Sequence, residues 1–209
     1  RTRYYGEGED TLALAKERIS HLQEPFFILI HINQPHDPYL PPSFHESVNR
    51  FLNQFGVADS ELKMYAPYPR RGQPIADKYK RQYEASIQRL DAELGEFLGW
   101  INNASWSDNS LVIVTSDHGE SFERGYLNHG EELYENSTHV PLIIRFPGQQ
   151  SGRRVSGLVQ PIDFAPTILQ AANISILPWM EGQPLSSETS PQERSTIAVN
   201  YKRPEKGRV

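Results

Sequence analysis

One long amphipathic stretch, flanked by two short apolar runs, limits what this chain can fold into. Between Asp77 and Asn102, the residues Tyr79, Tyr83, Ile87, Leu90, Leu94, Leu98 and Ile101 recur every three or four positions. That spacing lines one face of a helix. Phe26 to Ile32 before it and Leu111 to Thr115 after it are apolar runs of strand length, the first interrupted only by His31. Continuous apolarity implies strands covered on both faces. Strand, long helix, strand is a βαβ unit, so the two strands are predicted to run parallel in one sheet. Val140 to Phe146, ended by Pro147-Gly148, adds a third strand. Leu12, Ala15, Ile19 and Leu22 predict a first helix, capped by Asp10 or Thr11 and stopped by Pro25. Pro161 to Ala172 predicts a last one, with Phe164, Ile168 and Leu169 inward. The pattern is that of an α/β protein with a mainly parallel sheet.

The chain has 209 residues and 37% hydrophobic content, enough for one domain with a sizeable core. The net charge is −5 and no run of Lys or Arg forms a nucleic-acid stripe. An acidic chain that handles an anionic substrate needs a local positive site, such as a metal ion. No apolar stretch approaches the roughly 20 residues that span a bilayer. Cysteine is absent, which excludes disulfides, thiolate zinc sites and a Cys nucleophile within these residues. The chain opens on Arg1-Thr2-Arg3 without Met and closes on the polar run Tyr201 to Val209, so both ends read as cuts through a longer protein. Residues 40–77, rich in Pro and aromatics, read as an irregular excursion and as a place for substrate contacts.

The run Leu111 to Thr115 leads into Ser116-Asp117-His118-Gly119-Glu120. Ligands of open parallel sheets gather beyond the C-terminal ends of strands. Adjacent residues of a strand point to opposite faces. Asp117 and His118 therefore meet one ion only if the chain turns, which Gly119 permits. A carboxylate oxygen beside an imidazole nitrogen suits a divalent cation. Taken alone, the same dipeptide also describes a turn-forming Asp and a surface His.

Four segments occur in a meaningful order. Phe26 to Asn33 runs into Gln34-Pro35-His36-Asp37-Pro38-Tyr39. Leu-Val-Ile-Val-Thr-Ser-Asp117-His118-Gly-Glu is followed by Asn128-His129-Gly-Glu-Glu-Leu-Tyr-Glu and by His139-Val-Pro-Leu-Ile-Ile. Asp163-Phe-Ala-Pro166-Thr167 comes next, and Gly182-Gln-Pro-Leu185 closes the series. Over residues 10–186 this resembles the sulfatase family of the alkaline phosphatase superfamily. The resemblance implies an alkaline-phosphatase-like α/β fold, a mostly parallel sheet with helices on both faces. Residues 1–209 would be a truncated part of that catalytic domain.

The resemblance also implies roles. Asp117 and His118 are two ligands of one divalent cation, Ca²⁺ first, with Mn²⁺ or Zn²⁺ as alternatives because Ca²⁺ prefers oxygen. His129 touches the sulfate oxygens. His36 lies near the bridging oxygen and protonates the departing alcohol. All four are expected to converge at one end of the sheet, with Glu120 beside them. The family nucleophile, a Cys or Ser in Cys/Ser-x-Pro/Ala-x-Arg that becomes formylglycine, has no counterpart here, and Ser43 lacks the Arg. The missing N-terminal part is thus an expected partner, and these residues alone are expected to be inactive. The implied function is a sulfuric ester hydrolase acting on a small anionic ester such as a sulfated sugar, in a periplasmic, secreted or lysosomal setting. The alternatives are a phosphonate or phosphodiester hydrolase, a phosphoethanolamine transferase, or a non-catalytic relative. Sequons at Asn103, Asn136 and Asn173 permit glycosylation in a secretory host.

Overall fold

The computed structural model describes residues 8–36, 68–130, 132–186 and 195–199. They fall into two compact units, one built from residues up to Asn103 together with Glu120–His129, the other from Ala104–Gly119 and the residues from Gly130 onward.

The first unit is helical. Helix α1, Gly8–Ser20, buries Leu12, Ala15 and Ile19 at helical spacing and packs on α2, Gln73–Asn102. Helix α2 starts earlier than Asp77 because Pro74 sits in its first turn, where no intrahelical N–H is needed. A tight turn at Arg70–Gly72 leads into it. The end of the predicted 40–77 excursion, from Arg70 on, is thus helical or tightly turned, and residues 40–67 lie outside the described ones. The buried stripe of α2 is Ala76, Ser86, Phe97 and Ile101, while Ile87 is 40% exposed. The helices have 13 and 30 residues. At a rise of about 1.5 Å per residue, α1 covers less than half of α2. Residues 26–32 form no strand: Phe27 and Leu29 are 70% and 82% exposed. An apolar run becomes a strand only where neighbours take up its backbone N–H and C=O groups, and no described strand pairs with this one.

The second unit carries the sheet of the described residues, two strands rather than a mostly parallel array. Strand β1, Val112–Thr115, pairs antiparallel with β2, Leu142–Arg145, in the register Val112 to Arg145 and Thr115 to Leu142. The predicted parallel order does not form. Among the described residues between the strands the one regular helix is α3, Glu135–Thr138, of four residues, rather than a helix that runs back along the sheet as in a βαβ crossover. The chain re-enters beside the end of β1, where the Thr115 hydroxyl donates to Pro141 O at 2.9 Å.

The last predicted helix begins as a tight turn, Pro161–Asp163, and continues as α4, Phe164–Ala171. Its buried residues are Asp163, Pro166 and Thr167 rather than Phe164, Ile168 and Leu169. The polar pair is buried because it is satisfied. Asp163 accepts from Gln160 N–H at 2.8 Å and Gln183 N–H at 2.9 Å. The Thr167 hydroxyl donates to Asp163 O at 2.6 Å and accepts from Leu185 N–H at 2.9 Å. A Cβ at Gly182 would overlap the Ile162 carbonyl, so only glycine lets the strap 182–185 lie this close. Asp163→Ala should release that strap. Charge-assisted hydrogen bonds are worth about 1.5–3 kcal/mol each, so amide exchange at Gln183 and Leu185 should accelerate about a hundredfold or more. Unchanged exchange there would contradict the clamp.

Candidate active site

Strand β1 delivers Ser116, Asp117 and His118 as a turn tied to itself. The Ser116 hydroxyl donates to His118 O at 2.7 Å, and His118 N–H donates to Asp117 Oδ1 at 3.0 Å. His118 Nδ1 lies 2.9 Å from Gly119 O. A carbonyl only accepts, so Nδ1 carries the proton, and in the neutral ring Nε2 carries the lone pair. Nε2 in turn lies 3.7 Å from Asp117 Oδ2. An imidazole nitrogen and a carboxylate oxygen thus stand side by side, and the ring's other nitrogen is held by a backbone carbonyl. This is the usual orienting contact of a metal-ligating histidine. The pair fits a share of a divalent-cation site. Among the described residues no three His, Cys, Asp or Glu groups gather as a complete one. Gly119 matters for a reason other than the predicted turn. Its N–H donates to Ser137 O at 2.8 Å, and a Cβ there would overlap the Asn136 carbonyl.

In the other unit, residues 120–129 fold back on themselves. Ser121 and Asn128 exchange backbone hydrogen bonds of 3.0 Å, and the turn between them uses positive φ at Arg124 (58°) and Gly125 (83°). The hairpin is anchored on α2 and its approach. Phe122 stacks on Tyr83 with centroids 5.3 Å apart, and Phe122 O accepts from the Tyr68 hydroxyl at 2.9 Å and Gln73 Nε2 at 3.1 Å. Lys80 pairs with Glu123 at 2.9 Å; that hydrogen bond raises the Lys80 pKa and lowers that of Glu123. Burial, and then the Glu120 carboxylate, push the Tyr83 phenol upward. Burial likewise raises the Tyr68 phenol.

The product of this anchoring is a buried carboxylate beneath a histidine. Glu120, 4% exposed at its side chain, accepts from His129 Nδ1 at 3.0 Å. The His129 ring meets that of His36 edge-on, with centroids 5.6 Å apart and planes at 66°. His36 is held by a turn in which its N–H donates to Asn33 O at 2.9 Å.

Of the predicted site residues, His36 and His129 are therefore neighbours in one unit, and Asp117 and His118 are neighbours in the other. His139, exposed over 79% of its side chain, faces Glu135, and His31 is exposed; neither is a core residue. Sequence reasoning placed Glu120 only beside the metal pair, whereas its contact is nine residues on. Alternation of apolar Phe122 with Ser121 and Glu123 around Arg124-Gly125 was the signal of that hairpin. Glu132 was overlooked. It is buried and accepts from Tyr134 N–H at 2.6 Å and from the Ser137 hydroxyl.

The sulfatase family model matches residues 2–174. Human arylsulfatase K is 30% identical over 209 aligned residues, which cover 86% of this chain and 38% of that protein. The chain thus spans well under half the length of this curated relative. Among solved structures, one determined in complex with its substrate D-glucosamine-2-N,6-O-disulfate matches with a TM-score of 0.67 at 19% identity, over 94% of this chain and 55% of that one. A phosphonate monoester hydrolase from Silicibacter pomeroyi matches with a TM-score of 0.62 at 21% identity, over 86% and 41%. At these identities the structural likeness is one of fold.

The Glu120–His129 contact makes a spectroscopic prediction. In ¹⁵N-histidine spectra of the full-length protein near neutral pH, the His129 Nδ1 proton should be protected and visible. Glu120→Ala should abolish that signal while leaving the chain folded. A persistent Nδ1 proton signal in the variant would contradict the assignment of Glu120 as its partner.

Proposed function

The chain belongs to the sulfatase family, and on that premise we propose that its parent protein is a metal-dependent sulfuric ester hydrolase. The observation that carries this reading is the His118 ring. Its Nδ1–H is committed to Gly119 O, and its Nε2 stands 3.7 Å from Asp117 Oδ2. Asp117 and His118 would hold part of a divalent-cation site, Ca²⁺ by family resemblance, with the imidazole donor favouring Mn²⁺ or Zn²⁺ more than an all-oxygen site would. A cation bound there supplies positive charge beside the anionic ester.

The chain's own residues supply the rest. In this reading His129, whose Nδ1 is held by Glu120, would offer its second nitrogen to the ester oxygens. As imidazolium it donates to them where negative charge grows in the transition state. His36, whose ring meets that of His129 edge-on, would hand a proton to the alkoxide when the bond from sulfur to the bridging oxygen breaks. On this reading the nucleophile that forms the new bond to sulfur would be supplied by a group other than these residues. Covalent catalysis depends on that group, so the described residues position and stabilise without completing the reaction. The substrate class is a small sulfate ester, with a sulfated sugar as the first candidate.

A phosphonate or phosphodiester hydrolase is the second reading. The fold likeness to a phosphonate monoester hydrolase supports it, while the sulfatase family match over residues 2–174 favours the first. The full-length protein should release sulfate from an aryl sulfate or a sulfated-sugar panel faster than it cleaves phosphate diesters or phosphonates. Asp117→Ala should weaken metal binding and activity together. His129→Ala should lower kcat about 10²–10³-fold, with a smaller effect on KM. Cleavage of phosphorus esters alone would replace the sulfatase reading with the second one.

A further inference from the structure

We propose that Glu132 is a positioning residue for the candidate metal site: through Ser137 and Gly119 it sets the His118 imidazole in its ligating orientation. The inference rests on the reading of Asp117 and His118 as metal ligands. It starts from a buried carboxylate that the mechanism above does not use. Glu132 is 8% exposed, and Ser137 is 6% exposed. Burying a carboxylate is costly unless donors satisfy it. Here two do: the Tyr134 N–H at 2.6 Å and the Ser137 hydroxyl.

These bonds pin residues 134–137 from below. From above, Ser137 O accepts the Gly119 N–H at 2.8 Å, and the Asn136 carbonyl occupies the space a Gly119 Cβ would need. Gly119 is thereby fixed both by a hydrogen bond and by direct backbone contact. Its carbonyl then accepts His118 Nδ1–H at 2.9 Å. The relay runs from Glu132 to Ser137, to Gly119, to the His118 ring. Every member lies in one compact unit. A carboxylate that only capped the short helix α3 would need the Tyr134 N–H alone. The second bond, to Ser137, engages the very residue whose carbonyl holds Gly119.

The test uses the full-length protein stripped of metal with chelator, and Mn²⁺ as the probe. Binding is followed by calorimetry, with Asp117→Ala marking the component that belongs to this site. Glu132→Ala and Ser137→Ala should each weaken that component by about 10–100-fold, the usual cost of losing a group that orients a ligand. Asp163→Asn, which loosens the separate 160–185 clamp, controls for general loss of stability and should leave Mn²⁺ affinity unchanged. In ¹⁵N-histidine spectra of the metal-free protein, His118 should be the Nδ1–H tautomer in the wild type and a mixture in both variants. If Glu132→Ala does not fold, Ser137→Ala decides the matter. Wild-type affinity together with an unshifted His118 tautomer in the variants would overturn the role of Glu132. A wild type that binds no Mn²⁺ at this site would overturn the metal-site reading itself, and the tautomer measurement would still judge the relay.

Discussion

The arrangement of the candidate metal ligands depends on one backbone contact. Gly119 lies against the Asn136 carbonyl so closely that no side chain fits, and its N–H is bonded to Ser137 O at 2.8 Å. Strand pairing brings the two segments together: Thr115 opposes Leu142, so the chain leaving β1 and the chain entering β2 are neighbours. A short antiparallel ladder thus does locally what a longer sheet is needed for elsewhere. It brings a turn and a short helix into contact, and the contact orients a histidine. Buried polar groups with full sets of partners are well suited to such a task, because the cost of leaving any of them unmade is high.

The same economy recurs twice. Glu120 is buried under His129, and Asp163 is buried under the strap 182–185; each carboxylate takes a partner from beyond its own turn, His129 and Gln183. Several large apolar side chains stay outside the packing of the described residues. Phe27, Leu29, Ile143 and Trp179 are all at least 65% exposed. The chain spans 38% of the length of human arylsulfatase K, and a lone run such as 26–32 has no described ladder partner to turn it into a strand.

Periodicity made α2 legible, since an amphipathic helix of 30 residues repeats its signal many times. Its start lies four residues before Asp77, in a first turn that carries Pro74 and no member of the apolar series. The exposure of Ile87 was invisible because periodicity marks a face but not how much of it neighbours cover. Strand order was beyond reach for a different reason. An apolar run declares that it wants cover, but not which neighbour provides it or in which direction that neighbour runs, as the antiparallel pairing of β1 with β2 shows. In the site, the motif residues His36, Asp117, His118 and His129 could be picked out. Their supports could not: Glu120 meets His129 only across a hairpin bent at Arg124 and Gly125, and Glu132 meets Ser137 only once a helical turn has formed. Asp163 and Gly182 were both found as motif positions, yet that the strap beginning at Gly182 is what Asp163 holds is a fact of tertiary structure.

The central claim is that Asp117 and His118 share one metal ion. Anomalous diffraction from crystals of the full-length protein grown with Mn²⁺, recorded at the manganese edge, addresses it most directly. The account requires an anomalous peak within about 2.0–2.3 Å of both His118 Nε2 and an Asp117 carboxylate oxygen, with His118 Nδ1 still bonded to Gly119 O. A strong peak elsewhere in the protein, with these two side chains holding no ion, would contradict it.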